Sequence, residues 1–241
     1  MEIETFSSAV GALAVNHEKE PAEKIYEFFQ SIGGKQFLFM GNGSYLDFVP
    51  FQEAGNPLIR YGRQLFLLFR HSFYSPTYTS NGSTPFSAKE VAQTEGNGAD
   101  FFCRGNDQVL LDSERVQVLY PDNPIVERHF LFATKAHRDS FKDMTKEEFV
   151  EVMALAKRVG NLFEGKKVYL CKTGFDAGQT VPHFHLHLMI ETDKTEGIWG
   201  RLKVAKNILF NMIPLMNSRL QGEALLQRVT QYRGVLACPT S

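Results

Sequence analysis

Three histidines alternate within one short stretch of the chain. The segment VPHFHLHLM, residues 181–189, places His183, His185 and His187 together, although the whole chain of 241 residues has only seven histidines. Strict alternation of polar and apolar residues predicts a half-buried β-strand, whose successive side chains point to opposite faces. All three imidazoles would then share one face, with Phe184 and Leu186 on the apolar one. The imidazole row is therefore the first candidate for chemistry.

Metal binding is one chemistry that such a row could perform. Residues two apart on a strand are about 6.6–6.8 Å apart, so the outer histidines would be about 13 Å apart. Two neighbouring imidazoles can share a zinc ion at about 2.0 Å each, but three from one straight strand cannot easily do so. A metal site would therefore use two of them with a carboxylate or His129 from elsewhere. A purely structural row of histidines is the other plain interpretation, and it leaves the preceding turn unexplained.

An extended phosphate chain suits the spacing better than a metal ion. The glycine-containing turn GFDAGQT, residues 174–180, runs into the row, and backbone N–H groups of such a turn can line an anion-binding concavity. A neutral imidazole can attack phosphorus at neutral pH while a protonated neighbour stabilises negative charge. Crowding of like charges suppresses protonation of the next ring, which keeps one imidazole nucleophilic.

The same residues resemble a known signature. AGQTVPHFHLHLM, residues 177–189, resembles that of the histidine-triad (HIT) superfamily of nucleotide hydrolases and transferases, in which His-φ-His-φ-His-φ-φ follows a Gly-Gln-Ser/Thr-Val segment. Residues 121–141 are similar to the loop, strand and PGH…PKKH segment of the family, and residues 144–159 to its helix. The resemblance covers residues 103–192, which is under half of the chain.

The resemblance implies a HIT-type nucleotide hydrolase or nucleotidyltransferase that cleaves a phosphoanhydride or phosphoramidate bond. His185, as the middle histidine, would attack the α-phosphorus and form a nucleotidyl-histidine intermediate. His183 and His187 would orient that ring and hydrogen-bond the phosphate oxygens as charge develops. His129 falls at the family's fourth histidine, where it would assist the ring network.

Substrate contacts follow from the resemblance too, with two departures from the family pattern. Gln179 and Thr180 match phosphate-binding positions, and Gly178 would let the backbone approach the phosphates closely. Lys172 stands where the family usually has Asn or Gln, so either its charge meets a more highly charged phosphate chain or it is a solvated strand-end residue. Gapless counting places Pro121 at the family's ribose-binding position, which makes the adjacent Asp122 the candidate.

The identity of residue 187 bears on the reaction. Related dinucleoside polyphosphate phosphorylases have glutamine at this third position, so His187 favours a hydrolase. A nucleotide-binding or partner-binding protein with little turnover is the alternative, as is a metal-dependent phosphohydrolase that uses two of the triad histidines. The triad itself requires no cofactor and no metal ligand, although magnesium can accompany a polyphosphate substrate. Lys135 and His137 are expected to be solvated, with ligand contact as the alternative. Trp199 is expected to pack in the core with the C-terminal helices, with closure of a pocket as the alternative.

The surrounding pattern predicts an α+β fold, a HIT-like, mainly antiparallel sheet with a packed helix. Helical spacing is found at residues 21–32, and strands are predicted at 35–40 and 45–51, at 59–69, and at 116–120, 129–134 and 168–172. Thr145 and Glu148 form a capping box that begins a helix. We find no internal repeat. The predicted units are an N-terminal α/β extension (1–100, with a loop or linker at 75–98), a catalytic domain (101–195) and C-terminal helices (196–241).

Bulk composition excludes several classes of protein. A hydrophobic content of 43% supports a substantial core, and a net charge of −1 with a pI of about 6.7 gives no general field for nucleic acid. No apolar run approaches a membrane span, and no secretory signal is recognisable. Three scattered cysteines predict reduced thiols in a cytoplasmic protein and no cysteine-built zinc site. The expected partner is a nucleotide or dinucleoside polyphosphate, and the resemblance implies a homodimer unless the extensions cover the sheet edge.

Overall fold

One ten-stranded sheet forms the centre of the described part of the chain. The computed structural model describes residues 1–8, 13–32, 37–50, 77–88, 100–103, 106–139, 141–163, 166, 168–172, 181–193, 195, 197–211 and 219–237. All strand pairs are antiparallel, as predicted. The strands are β1 (Glu2–Ser8), β2 (Leu13–Asn16), β3 (Phe37–Asn42), β4 (Tyr45–Pro50), β5 (Tyr78–Pro85), β6 (Val109–Asp112), β7 (Val116–Leu119), β8 (Arg128–Thr134), β9 (Val168–Lys172) and β10 (His185–Ile190).

Four α-helices accompany the sheet, which confirms the α+β class. They are α1 (Ala22–Ile32), α2 (Lys146–Asn161), α3 (Gly197–Asn211) and α4 (Gly222–Ala237), with a 3₁₀ turn at Phe141–Asp143. The predicted capping box is present: Thr145 Oγ1 accepts from the Glu148 N–H, and Glu148 Oε2 accepts from the Thr145 N–H. Among the described helices, none combines the length and apolarity needed to cross a bilayer.

The strand order reveals two halves of the same topology. It runs β5-β1-β2-β4-β3-β9-β10-β8-β7-β6, so strand, strand, helix, strand, strand occurs as β1-β2-α1-β3-β4 and again as β7-β8-α2-β9-β10. The halves meet where β3 pairs with β9, with Met40 opposite Cys171, and α1 packs against α2. The expectation of no internal repeat was therefore wrong at the level of topology. The first hundred residues also contribute strands to the shared sheet.

The predicted linker at 75–98 contains an edge strand. Residues 78–85, YTSNGSTP, form β5, which pairs with β1 so that Ile3 lies opposite Thr84. Most β5 side chains are exposed, because at the edge of the sheet neither face needs to be apolar; its polar composition therefore resembled that of a loop. The strand expected at 59–69 lies outside the described residues.

The apolar core lies between one face of the sheet and the helices. Phe184, Leu186 and Leu188 are buried there with Phe130 and Phe132 from β8. Alternation along β10 therefore sends the neighbouring imidazoles to the opposite face, as the sequence predicts.

The C-terminal helices are present, but one prediction about them was wrong. Trp199, at the start of α3, is 82% exposed instead of packing in the core. The described anchor of α3 is polar: Asn207 Nδ2 donates to the carbonyl of Ile125 at 2.7 Å. A helix held by a polar contact does not need to bury its tryptophan.

Candidate active site

Strand β10 and the turn before it bring the three triad histidines together. β10 begins at His185, opposite Ala133 of β8, and places His187 opposite Leu131. His183 lies two residues before His185 and is fully buried. The rings of His185 and His187 have centroids 5.0 Å apart. The predicted single-faced row is therefore confirmed for the strand residues, with His183 in the preceding turn.

The hydrogen bonds of His185 assign its tautomer. Its Nδ1 lies 2.8 Å from the backbone carbonyl of His183. Because a carbonyl oxygen can only accept, Nδ1 carries the proton and Nε2 carries the lone pair. The ring of Phe102 stacks on that of His185 with centroids 5.0 Å apart and 29° between the planes. The side chain that the sequence predicts as nucleophile therefore carries its lone pair on Nε2.

A second chain of hydrogen bonds leads through His129 to His187. The backbone N–H of Ile125 donates to His129 Nδ1 at 3.1 Å, so Nε2 of this ring carries its proton. His129 Nε2 in turn donates to His187 Nδ1 at 3.0 Å, which leaves Nε2 of His187 as an N–H donor. Burial, followed by the proximity of His187, holds the pKa of His129 well below its usual 6.5. His129 is therefore a neutral part of the ring network, in the place predicted for it.

The third histidine faces a polar cluster that the sequence did not predict. His183 Nε2 lies 2.7 Å from the Thr134 carbonyl, and its Nδ1 lies 3.0 Å from Asp100 Oδ2. Burial lowers the pKa of His183, although the bond to Thr134 and the charge of Asp100 act in the opposite direction. Burial alone would raise the pKa of Asp100, but His183 and the N–H groups of Cys103 and Phe102 bring it below its usual value.

His137 belongs to this cluster, which corrects the expectation that it is solvated. Its side chain is 9% exposed, and its ring centroid lies 5.0 Å from that of His183. The segment after β8 folds back over the triad, because the Arg138 carbonyl accepts from the Phe184 N–H. Lys135 is the more exposed of the two, and its Nζ pairs with Asp112 at 2.7 Å.

Several predicted substrate contacts remain predictions. Gly178, Gln179 and Thr180 lie outside the described residues. Lys172 ends β9, opposite Phe39 of β3. Asp122 lies in the loop between β7 and β8, where its carboxylate is 3.6 Å from Arg219 and its carbonyl accepts from the Leu220 N–H.

Sequence reasoning missed Phe102, Asp100 and Cys103 as site residues. They precede the recognisable motif by about eighty positions and follow a polar segment, so no local periodicity connects them to the triad. The signal available was the D-x-x-C spacing at 100–103 together with His137. Only tertiary folding shows that both pieces meet at His183.

Comparison with known proteins agrees with this geometry. Residues 104–194 match the family model for the HIT domain. This part of the chain is similar to a histidine-triad domain. The HIT domain therefore includes β6 to β10 and α2, and the resemblance read from residues 177–189 is confirmed.

Two relatives match parts of the chain. A bis(5'-adenosyl)-triphosphatase of Dictyostelium discoideum is 34% identical over 87 residues, which is 34% of this chain and 58% of that protein. A bifunctional bis(5'-adenosyl)-triphosphatase/adenylylsulfatase of Arabidopsis thaliana is 25% identical over 126 residues, covering 48% of this chain and 70% of that protein. The chain thus spans little more than half of the first relative's length.

One solved structure extends the fold comparison beyond the HIT domain. A uridylyltransferase structure matches 93% of this chain and 74% of its own with a TM-score of 0.52 at 10% identity. At that identity the likeness concerns the fold alone. It agrees with the finding that the N-terminal strands and the HIT domain share one sheet.

Proposed function

We propose that this protein is a nucleotidyl hydrolase or transferase that acts through a covalent intermediate on His185. The observation that carries the proposal is the pair of bonds that set the ring states: His185 donates from Nδ1 to a carbonyl, and His187 receives a proton from His129. The first bond leaves a lone pair on Nε2 of His185. The second leaves an N–H donor on Nε2 of His187, the neighbouring ring. A nucleophile and a charge-stabilising donor are what phosphoryl substitution requires.

The chemical step can be written from these atoms. Nε2 of His185 attacks the α-phosphorus, a P–Nε2 bond forms, and the bond from phosphorus to the leaving group breaks with its electron pair on the leaving group. The positive charge that develops on the ring is stabilised because Nδ1–H points at the His183 carbonyl. The N–H of His187 stabilises the phosphoryl oxygens. The oxygen of water, or of another acceptor, then bonds to phosphorus and releases its proton to solvent, while the P–Nε2 bond breaks with its electron pair on Nε2 and leaves the ring neutral.

The described residues supply one such centre, although their topology is doubled. In the N-terminal half, Asp47 lies opposite both Ala14 and Met40, as His187 lies opposite Leu131 and Cys171 in the other half. Since Met40 and Cys171 face each other at the junction, Asp47 mirrors His187, and Tyr45 mirrors His185. Neither can serve as an imidazole nucleophile. One nucleotidyl group should therefore be transferred per chain.

Dinucleoside polyphosphates are the substrate class favoured, with hydrolysis as the outcome. Both relatives are named as bis(5'-adenosyl)-triphosphatases, and His187 is the histidine that favours a hydrolase. The triad acts on phosphorus through its own nitrogen atoms, and magnesium would enter only with the polyphosphate. Cytoplasmic residence and a homodimer remain expectations; β3 of the same chain already occupies the edge of β9.

Steady-state turnover with a panel of dinucleoside polyphosphates and adenosine phosphoramidates tests the proposal. We expect His185→Gly to lower kcat/KM by at least about 10³-fold. His17→Gln is the matched control, because His17 lies in the N-terminal half, where its Nε2 contacts the Gly43 carbonyl, and this variant should retain parent activity. Equal turnover by His185→Gly and the parent would overturn the proposal.

A nucleotide-binding protein with little turnover is the second candidate. The departures at Lys172 and Pro121 favour it, because they alter the positions where the family contacts phosphate and ribose. It predicts saturable nucleotide binding by calorimetry with no product from any member of the panel. Turnover that depends on His185 would exclude it.

A further inference from the structure

The loop between β7 and β8 carries the backbone group that sets the ring state of His129. Residues 120–127 read YPDNPIVE, in which Pro121 and Pro124 have no N–H to donate. The N–H of Ile125 donates to His129 Nδ1 at 3.1 Å. Because both prolines remove donors from this short loop, its backbone relies on partners from other parts of the chain.

Helix α3 supplies such a partner at Ile125 itself. Asn207 Nδ2 donates to the Ile125 carbonyl at 2.7 Å. Ile125 therefore uses its carbonyl to reach α3 and its N–H to reach the triad network. Two hydrogen bonds on different groups of one residue fix both its position and the direction in which its N–H points. A hydrogen-bonded path thus leads from Asn207 through Ile125 to His129.

The ends of the same loop are held by the chain beyond α3. The Asp122 carbonyl accepts from the Leu220 N–H at 2.6 Å. The Glu127 carbonyl accepts from the hydroxyl of Tyr232, in α4, at 3.2 Å. Loss of the contact with α3 should therefore shift the middle of the loop, which carries the donor to His129, without releasing its ends.

The position of this donor decides which nitrogen of each ring carries a proton. An imidazole that accepts at Nδ1 is protonated at Nε2 when it is neutral. His129 therefore presents Nε2–H to His187 Nδ1, 3.0 Å away, and His187 keeps its own proton on Nε2. His129 is 2% exposed, so solvent is a poor substitute for the Ile125 N–H. Without that N–H, His129 can take the other tautomer, and His187 then loses the Nε2–H that faces the phosphoryl oxygens in the proposed step.

We propose that Asn207 is a positioning residue, which holds Ile125 so that the rings of the triad network keep the tautomers that the reaction needs. Asn207 lies beyond residue 194, where the match to the HIT family model ends. The C-terminal extension therefore takes part in the reaction through α3, and it does so without touching a reacting atom. This role rests on the proposed function, because the N–H of His187 matters to turnover only if it stabilises a phosphoryl group.

Steady-state kinetics of Asn207 variants of the full chain, with a substrate that the parent turns over, tests the proposal. Asn207→Leu keeps the approximate size of the side chain and has no donor. It should lower kcat by about 3–10-fold with little change in KM, because one neutral hydrogen bond that sets the ring network is lost. Asn207→His can place its Nδ1–H at the position of Nδ2, and it should recover at least about half of the parent kcat.

A double-variant cycle with His129 separates this positioning role from general support of the fold. In His129→Asn the ring that Ile125 orients is absent, so adding Asn207→Leu should change kcat by less than about twofold. A merely structural role of Asn207 would give the same fold-loss in both backgrounds. Nitrogen NMR spectra of the imidazole rings report the tautomers without any turnover, and Asn207→Leu should move the two ring resonances of His129 toward a mixture of tautomers.

Arg228→Gln is the matched control. Arg228, in α4, pairs with the side chain of Glu127 at 2.9 Å, at the end of the same loop, and this variant should retain the parent kcat. Equal falls of kcat in Arg228→Gln and Asn207→Leu would overturn the proposal. So would a parent kcat in Asn207→Leu, or equal losses in the two backgrounds of the cycle.

Failure of this role and failure of the proposed function give different results. Loss of turnover in His185→Gly together with parent turnover in Asn207→Leu would refute the positioning role and leave the proposed function intact. If the parent turns over no member of the substrate panel, the proposed function fails. Unchanged nitrogen resonances of His129 in Asn207→Leu would overturn the positioning role by themselves.

Discussion

A buried ion pair links the helix of the HIT domain to the triad, and its removal gives a large stability effect. Arg138 Nε donates to both carboxylate oxygens of Glu148 at 3.1 and 3.0 Å, and its Nη2 donates to Oε1 at 3.0 Å. The side chains are only 6% and 4% exposed. Glu148 also completes the capping box with Thr145, and the Arg138 carbonyl accepts the Phe184 N–H between two triad histidines.

The magnitude follows from leaving one charge behind. Arg138→Met leaves the Glu148 carboxylate buried without its cation, which should lower the free energy of unfolding by about 3–5 kcal/mol. For a chain of this length about 1 kcal/mol corresponds to about 2–4 °C in Tm, so the expected fall is about 6–20 °C. The double variant Arg138→Met/Glu148→Gln removes both charges and keeps an amide for the capping box. It should therefore be more stable than Arg138→Met alone.

Urea unfolding of the parent, the two single variants and the double variant measures this cycle. We expect each single variant to lose more free energy of unfolding than the double variant does. A loss below about 1 kcal/mol in Arg138→Met, which is typical of exposed ion pairs, would refute it. A loss in the double variant equal to the sum of the losses in the two single variants would refute it too.

Three further predictions concern the rings around the nucleophile. His129→Asn keeps an acceptor for the Ile125 N–H but loses the donor to His187, so we expect kcat to fall by about tenfold or more. The fall should be smaller in His129→Gln, because its amide can reach the position of Nε2. Equal rates in the two variants would contradict the assigned direction of these hydrogen bonds. Because burial lowers the pKa of His129, below about pH 6.5 the unfolded chain binds a proton that the folded chain does not. The free energy of unfolding should therefore decrease as the pH is lowered, by up to about 1.4 kcal/mol per pH unit. The plot of Tm against pH between about pH 7.5 and 5.5 should be flatter in His129→Asn. Phe102→Ala should lower the free energy of unfolding by about 3 kcal/mol in urea, whereas Phe102→Leu should retain most of the stability. Phe102→Ala should also lower kcat, because the His185 ring is less ordered without its stacking partner. An unchanged kcat in Phe102→Ala would show that stacking does not position the ring.

The triad could be predicted from sequence because its information is local. Alternation at 183–187 predicts the strand that begins at His185 and the shared face of His185 and His187, and Phe184 and Leu186 identify the opposite, buried face. The capping box at Thr145 is local in the same sense. His129 was predicted through the family resemblance, and the strand pairing of β8 with β10 brings it to His187.

The cluster around His183 could not be predicted because its members are distant in sequence and individually ordinary. Asp100 lies at the end of a polar segment, and His137 follows a strand where solvated residues are common. The doubled topology could not be predicted for a related reason. A strand requires only that its core-facing side chains be apolar, so β4 can have Tyr45 and Asp47 at the positions where β10 has histidines. Strand β5 was not predicted because an exposed edge strand needs no apolar residues.

The most direct test of the account is to trap the intermediate. The protein is mixed with a dinucleoside polyphosphate that it turns over, quenched within one turnover, digested and analysed by mass spectrometry under conditions that preserve phosphoramidate bonds. The account predicts a nucleotidyl group on His185 that forms and decays at rates compatible with turnover and does not appear in His185→Gly. A nucleotidyl group on another residue, or full turnover by His185→Gly, would contradict it.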